Sequence, residues 1–204
     1  MIRVHTEPGL RILTLDRSDK ANALTGALLR ELDAAVEAAA AADVRALILT
    51  GAGNVFSAGA DLDEVQAGLA TDPIWEQLSA RIAGLPCLTI AALNGTLAGG
   101  AMGMALACDL RLAVPEAKLF YPVMRLGFLP QPSDPARLAA LVGPSRAKLL
   151  LMAGMKATAE QALGWGLVDR IVAPGALLGE ARALAADALG ASAAHVAGIK
   201  ALIG

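Results

Sequence analysis

The sequence predicts one α/β domain in which short buried strands alternate with helices. The chain has 204 residues, of which 56% are hydrophobic, and this length can bury a sizeable core. Apolar runs at 44–50, 85–93 and 110–114 are typical of buried strands. Segments with helical spacing of apolar residues lie between these runs, and no linker-like stretch or fixed-period repeat divides the chain.

Strands are predicted where short apolar runs stop at turn residues. The 10–15 segment alternates, whereas the later runs are nearly continuous, as in strands buried on both faces. Gly51 and Gly53, Asn94 and Gly95, and Pro115 end these later runs. The predicted strands are, in chain order, 10–15, 44–50, 85–93 and 110–114.

Helices are predicted where apolar residues recur at helical spacing. In the 25–42 segment, which is rich in alanine, leucine and glutamate, Leu28, Leu32 and Val36 fall on one face. A proline-punctuated loop covers residues 121–135. The predicted helices are 25–42, 61–66, 73–83, 98–107, 145–153, 159–163 and 176–189.

Composition excludes several classes of protein. A formal net charge of -2 and an aromatic content of 3% argue against nucleic-acid binding, which needs a basic stripe or stacking platforms. Cys87 and Cys108 cannot form a disulfide framework, and the first residues lack the apolar core of a signal peptide, so we expect a cytoplasmic protein. His5 and His195 stand alone, which leaves no metal-ligand spacing.

One charge-free run, residues 82–108, is long enough to cross a bilayer. Pro86 and the Asn94-Gly95 pair interrupt it, whereas a spanning helix must satisfy its backbone internally. The run is therefore interpreted as a buried strand, a turn and a glycine-rich helix. No membrane segment is predicted.

The first segment that could carry chemistry is Ala58-Gly59-Ala60, just before Asp61 and Leu62. Small residues on both sides of a glycine let backbone N–H groups approach a ligand closely. An ordinary loop leading into a short helix, with Asp61 near its N-terminus, accounts for the same residues.

The second segment is Gly99-Gly100, which follows a predicted strand and opens a predicted helix. First-turn amides are unpaired donors, and the helix dipole favours negative charge beside them. This is how a backbone oxyanion hole is built. Close packing of a helix on a strand would also select glycine here.

A nucleotide site fits the glycine segments poorly. Phe56 stands where the dinucleotide fingerprint beginning at Gly51 needs its third glycine, and Ala98 stands where a fingerprint ending at Gly103 needs its first. Neither segment has an acidic residue at the end of a strand about twenty residues later. The chain has no P-loop pattern either.

Taken together, these segments resemble the crotonase family, also called the enoyl-CoA hydratase/isomerase family. The resemblance extends in order over nearly the whole chain, and the ordered set is far more specific than any single segment. The matching segments are 15–24, 47–51, 56–62, 90–95 with 98–100, 107–111, the residues Pro122, Gly127 and Pro130, and 162–169.

The resemblance implies a crotonase-like spiral of β-β-α units that forms a single domain over residues 1–204. Family members usually continue for about fifty further residues, so this chain is expected to lack their last C-terminal helices. The family's trimers, often paired into hexamers, are the expected assembly.

The resemblance also implies an acyl-CoA ligand, with the CoA thioester as substrate and no permanently bound cofactor. The backbone amides of Ala60 and Gly100 are expected to form an oxyanion hole. The residues matching the family's CoA and thioester contacts are Lys20, Ala21, Ala23, Ala58, Ala60, Asp61, Leu62 and Gly100.

The chain departs from the family at both hydratase glutamates. The first family glutamate lies three residues after the oxyanion glycine, where this chain has Gly103, and the second follows the matched proline, where it has Val123. The aspartate that some family isomerases use after the proline matched by Pro130 is Gln131. Ordinary hydration is expected to be weak or absent, because each acid–base group contributes about 10²- to 10⁴-fold.

Three other side chains could supply acid–base chemistry. Tyr121 and Asp134 lie nearest the family's active-site positions, ahead of Glu64, although solvated positions would explain all three and Asp134 before Pro135 also fits a helix N-cap. Two functions therefore stay open: an acyl-CoA enzyme with non-standard acid–base residues, or an inactive acyl-CoA-binding homologue that acts as a carrier, regulator or partner subunit. An acid–base side chain beside the acyl group would favour the enzyme.

Overall fold

Two β-sheets form the centre of the protein, and the computed structural model describes residues 1–203. The strands are β1 (Ile2–Glu7), β2 (Leu10–Leu15), β3 (Ala46–Gly51), β4 (Val55–Ser57), β5 (Leu88–Leu93), β6 (Thr96–Ala98), β7 (Leu110–Ala113), β8 (Lys118–Phe120), β9 (Ala157–Thr158) and β10 (Arg170–Ile171). The larger sheet has the order β1-β2-β3-β5-β7-β10, and the smaller one β4-β6-β8-β9. Gly204, the last residue of the predicted domain, lies outside the described residues.

Helices surround these sheets. They are α1 (Gly26–Ala40), α2 (Leu62–Gln66), α3 (Ile74–Ala83), α4 (Ala101–Leu106), α5 (Val123–Leu126), α6 (Asp134–Val142), α7 (Pro144–Leu151), α8 (Ala159–Trp165), α9 (Leu177–Leu184), α10 (Ala186–Gly190) and α11 (Ala193–Ile203). Short 3-10 turns cover Ser18–Lys20, Leu69–Thr71 and Pro174–Ala176. Thr25 caps α1 by accepting a hydrogen bond from Leu28 N, and Leu29, Leu32 and Val36 bury one face of α1 in the core.

The middle of the chain is a spiral of β-β-α units. In each unit a longer strand joins the larger sheet, a three-residue strand joins the smaller sheet, and helix follows. Strands β3, β5 and β7 pair in parallel, and so do β4, β6 and β8. The predicted α/β architecture, a spiral of β-β-α units, is confirmed.

Asparagine side chains hold the sharp turns between paired strands of the spiral. Asn94 Oδ1 accepts from Gly51 N at 3.0 Å, and Asn22 Nδ2 donates to the Val55 carbonyl at 2.7 Å. Gly95 must lack a side chain, because an added Cβ would lie 1.9 Å from the Asn54 carbonyl oxygen. These contacts fix β4 beside β6 and so position the residues that follow each strand.

Three of the predicted segments need correction, and, besides the short strands, no element was predicted for β1, most of α6 or α11. The predicted helix 98–107 begins only at Ala101, because Ala98 completes β6 and Gly99 has a positive φ. The predicted loop 121–135 contains α5 and the first residues of α6. The predicted helix 176–189 divides at Ala185 into α9 and α10. The three-residue strands were missed because they are too short to show a period.

The charge-free run 82–108 contains the last two residues of α3, then β5, β6 and α4. The predicted strand and glycine-rich helix are present, whereas the short strand β6 between them was not predicted. Within residues 1–203, no helix is both long and apolar enough to cross a membrane. Cys87 and Cys108 are buried free thiols whose pKa values are raised, to about 11 and about 12, chiefly by burial.

Candidate active site

Two glycine backbones touch where β4 and β6 end. Gly59 and Gly99 both have positive φ, at 93° and 58°, a region that costs glycine nothing. A Cβ added to Gly59 would lie 2.9 Å from the Ala98 carbonyl oxygen and 3.3 Å from Gly99 Cα. This approach brings the next residues, Ala60 and Gly100, to the same edge of the smaller sheet.

The amides of Ala60 and Gly100 have no protein acceptor among residues 1–203. The neighbouring amides are paired: Asp61 N donates to the Leu24 carbonyl at 2.8 Å, and Gly99 N to the Phe120 carbonyl at 3.1 Å. Ala60 and Gly100 are also only half-buried and line one cavity. Two unpaired donors in the wall of one cavity can stabilise an oxyanion.

That cavity has a volume of about 140 Å³ and a mainly apolar wall. Four of the six aromatic residues of the chain line it: Trp75, Phe120, Tyr121 and Phe128. The Trp75 ring would lie 3.1 Å from a Cβ on Gly100, so the missing side chain lets the indole close the wall there. Among the lining residues, Tyr121 alone can titrate. Sequence reasoning did not single out Trp75, Phe120 or Phe128; their only signal was the scarcity of aromatic residues.

The predicted CoA-contact segment is hydrogen-bonded to the loop that carries Ala58, Gly59 and Ala60. Ala21 accepts from Ala58 N at 3.0 Å, and Leu24 N donates to the Gly59 carbonyl at 2.8 Å. Lys20 is exposed at the end of its 3-10 turn. Lys20 therefore carries an exposed cation directly before Ala21 in the chain.

The predicted contact residues differ in whether they reach the cavity. Those that line it are Ala58, Ala60, Leu62 and Gly100, whereas Lys20, Ala21, Ala23 and Asp61 do not. Asp61 instead caps α2 and pairs with Arg17 at 2.5 Å. The hydrogen bond from Arg17 lowers the pKa of the Asp61 carboxyl, so Asp61 is an ionised structural anchor for the loop.

Neither position matched to a family glutamate supplies a carboxylate. Val123 is buried and lines the cavity as the first residue of α5. Gly103 is buried inside α4, one turn after Gly100. Gln131 lines the cavity and donates its side-chain amide to the Ala70 carbonyl at 3.3 Å.

Tyr121 and Asp134 lie together, as a buried hydrogen-bonded pair. Tyr121 Oη donates to Asp134 Oδ2 at 3.0 Å, whereas Asp134 Oδ1 has no partner among the described residues. Burial raises the pKa of Asp134 to about 6 and raises that of Tyr121 further above its usual range. The predictions of a solvated Asp134 and of an N-cap are wrong, because Asp134 is fully buried and the N-cap position of α6 is Ser133.

Glu64 lies elsewhere and has a structural partner. Its Oε2 accepts from Gly26 N at 2.7 Å, at the start of α1. It does not line the cavity. Within the described part of the chain, no group of histidine, cysteine or carboxylate side chains could hold a metal ion.

Comparison with known proteins identifies the family. Residues 5–203 match the family model described as enoyl-CoA hydratase/isomerase. The chain is 38% identical over 185 residues to YngF of Bacillus subtilis, whose name describes it as an enoyl-CoA hydratase/isomerase. The match covers 87% of this chain and 71% of that protein. It is also 35% identical over 202 residues to echA8 of Mycobacterium tuberculosis, whose name describes it as an enoyl-CoA hydratase. That match covers 96% of this chain and 79% of echA8.

Solved structures show the same likeness. The crystal structure of an enoyl-CoA hydratase from Bacillus anthracis superposes with a TM-score of 0.91 at 32% identity, covering 99% of this chain and 81% of that one. Pseudomonas aeruginosa DspI gives a TM-score of 0.91 at 31% identity, covering 99% of this chain and 85% of that one. The chain therefore belongs to the enoyl-CoA hydratase/isomerase, or crotonase, family.

Proposed function

We propose that this protein binds an acyl-CoA thioester and stabilises its enolate with the backbone amides of Ala60 and Gly100. The observation that carries the proposal is that these two amides lack protein acceptors while both residues line one apolar cavity. As an enolate forms, negative charge develops on the thioester oxygen. Preorganised amides in a site shielded from water stabilise that charge more than they stabilise the neutral thioester.

The same proposal assigns a binding region to the acyl group and another to the CoA moiety. The acyl group would enter the cavity, and the CoA moiety would pass along Ala58, Ala60, Asp61 and Leu62, beside Lys20, Ala21 and Ala23. The thioester is the substrate, and no permanently bound cofactor is needed. We also propose that the protein is cytoplasmic, as its cysteine content and first residues suggest, and that it forms a homotrimer or hexamer, as the family resemblance implies.

Tyr121 and Asp134 are the acid–base residues of this proposal. Tyr121 lines the cavity, and its hydroxyl reaches the Asp134 carboxyl. With Gly103 and Val123 at the glutamate positions, no pair of carboxylates is available to activate and deliver water across a double bond. The proposed chemistry is therefore proton transfer at the acyl chain, with ordinary hydration weak or absent.

The alternative is an inactive homologue that binds acyl-CoA as a carrier, regulator or partner subunit. The near-absence of titratable groups in the cavity wall favours it. The two proposals differ in whether the enolate forms: the carrier binds the thioester without exchanging its α-protons.

Gly100→Pro tests the oxyanion hole, with Gly100→Ala as its matched control. Gly100 has φ of -59°, which proline adopts readily, so the substitution removes the N–H while keeping the φ of residue 100. Both variants place a Cβ beside Trp75. Carbonyl infrared and ¹³C spectra of bound ¹³C-labelled butanoyl-CoA should show polarisation in the wild type and in Gly100→Ala, and its loss in Gly100→Pro.

Any turnover should fall by about 10²- to 10³-fold in Gly100→Pro relative to Gly100→Ala, as for other lost oxyanion donors. A carbonyl polarised to the same degree in both variants would remove Gly100 from the site.

A further inference from the structure

The carboxyl of Asp134 fills the space in front of Gly103. A Cβ added to Gly103 would lie 2.8 Å from Asp134 Oδ1 and 3.1 Å from Oδ2. Residue 103 can therefore carry no side chain while Asp134 keeps this position. A carboxyl group thus stands beside α4, one turn beyond Gly100, although it is supplied by α6.

This carboxyl has few partners. Oδ2 accepts from Tyr121 Oη at 3.0 Å, and Oδ1 is a buried oxygen to which no described residue donates. Of the nearby charged groups, Arg137 of α6 donates to Ser79 Oγ at 3.0 Å, and Glu76 of α3 accepts from Ser133 N at 3.1 Å. Helix α4 contributes no ionisable side chain. Asp134 is thus neither neutralised by a close cation nor satisfied as an anion.

Tyr121 connects this carboxyl to the cavity. Tyr121 lines the cavity wall, and its hydroxyl contacts both Asp134 and the backbone N–H of Gln131, at 3.0 and 3.4 Å. Asp134 itself does not line the cavity. A proton that moves between Asp134 and a ligand therefore has a hydrogen-bonded route through the Tyr121 hydroxyl.

We infer that Asp134 and Tyr121 form a proton relay, in which Tyr121 exchanges a proton with the acyl α-carbon and Asp134 holds it. The inference rests on the proposed function and deepens it. Tyr121 touches the substrate and is the catalytic residue, whereas Asp134 acts through Tyr121 and is a positioning residue that also stores the proton.

The proton and the electron pair of the broken C–H bond are both taken up within the site. The α C–H bond breaks, its electron pair enters the enolate, and the resulting oxyanion is held by the amides of Ala60 and Gly100. The released proton bonds to the Tyr121 oxygen while the proton of Tyr121 passes to Asp134 Oδ2, leaving a neutral phenol and a neutral carboxylic acid. The reverse transfers rebuild the C–H bond and the thioester carbonyl.

Both relay members are needed for physical reasons. Burial keeps Tyr121 protonated, because it raises the pKa of the phenol, so the phenol alone is no base. Asp134, with a pKa raised to about 6 by burial, can both take and return a proton near neutral pH. Its facing groups are Tyr121, Arg137 and Glu76, and none of them pairs with it as a close counter-ion.

The test is α-proton exchange of butanoyl-CoA in D₂O, followed by mass spectrometry. The wild type should incorporate deuterium, and Tyr121→Phe and Asp134→Asn should each lose about 10²-fold or more of the rate while still polarising the bound carbonyl. Glu116→Gln, the same kind of change at an exposed carboxylate, should exchange like the wild type. The wild-type rate should rise with pH through about 6 and then level off, and a merely structural role for Asp134 would not produce that profile.

Other outcomes would overturn either the relay alone or the proposed function. Exchange at the wild-type rate in Asp134→Asn, or a wild type that polarises the carbonyl without exchanging, would overturn the relay and leave the oxyanion hole standing. A wild type that neither binds butanoyl-CoA nor polarises its carbonyl would overturn the proposed function itself.

Discussion

Asp134 is unusual because a carboxyl group is fully buried with one oxygen unpaired. Burying an ionised carboxylate without a compensating partner costs several kcal/mol or shifts its pKa upward. Here the shift takes the pKa from 3.8 to about 6. A buried carboxyl with a raised pKa, one hydrogen bond from a residue that lines a cavity, is a candidate functional group.

This shift predicts a pH-dependent cost to folding. Because the pKa of Asp134 is higher in the folded state, the folded state holds the proton more tightly, and stability falls as pH rises from about 4 to about 6. Two pKa units correspond to about 3 kcal/mol. Asp134→Asn removes the titration, so the variant should gain stability relative to the wild type across this window, as chemical denaturation at several pH values would show. Parallel stability curves for the two proteins would contradict the assignment.

The contact between α4 and α6 depends on a glycine facing a carboxyl. Gly103→Ala should destabilise the protein by about 1–3 kcal/mol, since overpacking forces the Asp134 carboxyl and its bond to Tyr121 to move. In Asp134→Ala the same glycine change should cost less. A double-mutant cycle by denaturant unfolding should give a coupling free energy of about 0.5–3 kcal/mol.

Gly164 in α8 is the matched control for that cycle. A Cβ on Gly164 meets no atom within 4 Å, so Gly164→Ala should be neutral or stabilising by up to about 1 kcal/mol. Additive effects of Gly103→Ala and Asp134→Ala would show that the two positions are independent.

The length of each strand decides how well the sequence predicts it. The longer strands β2, β3, β5 and β7 show clear apolar runs, and the ordered family segments identify the spiral that connects them. Strands β4, β6 and β8 have three residues each, so their positions depend on backbone contacts such as Gly95 against Asn54. No local pattern carries that information.

The residues of the candidate site also differ in how well the sequence predicts them. The two glycine segments can be found from their order along the chain, and the structure places Ala60 and Gly100 of these segments in the wall of one cavity, while their role as an oxyanion hole stays a prediction. The Asp134 environment could not be predicted, because the contacts of Asp134 with Tyr121 and Gly103 join separate elements, and Asp-Pro alone resembles a helix cap. The aromatic wall of Trp75, Phe120 and Phe128 is likewise assembled only by the fold.

The whole molecule brings two turns of the spiral together at one cavity, and the proposed chemistry depends on that convergence. The most direct measurement is a crystal structure of the protein with butanoyl-CoA bound. The thioester oxygen should accept hydrogen bonds from both Ala60 N and Gly100 N at about 2.7–3.1 Å, with the α-carbon facing Tyr121. A thioester oxygen that contacts neither amide, in a site otherwise occupied by the acyl chain, would contradict this mechanism.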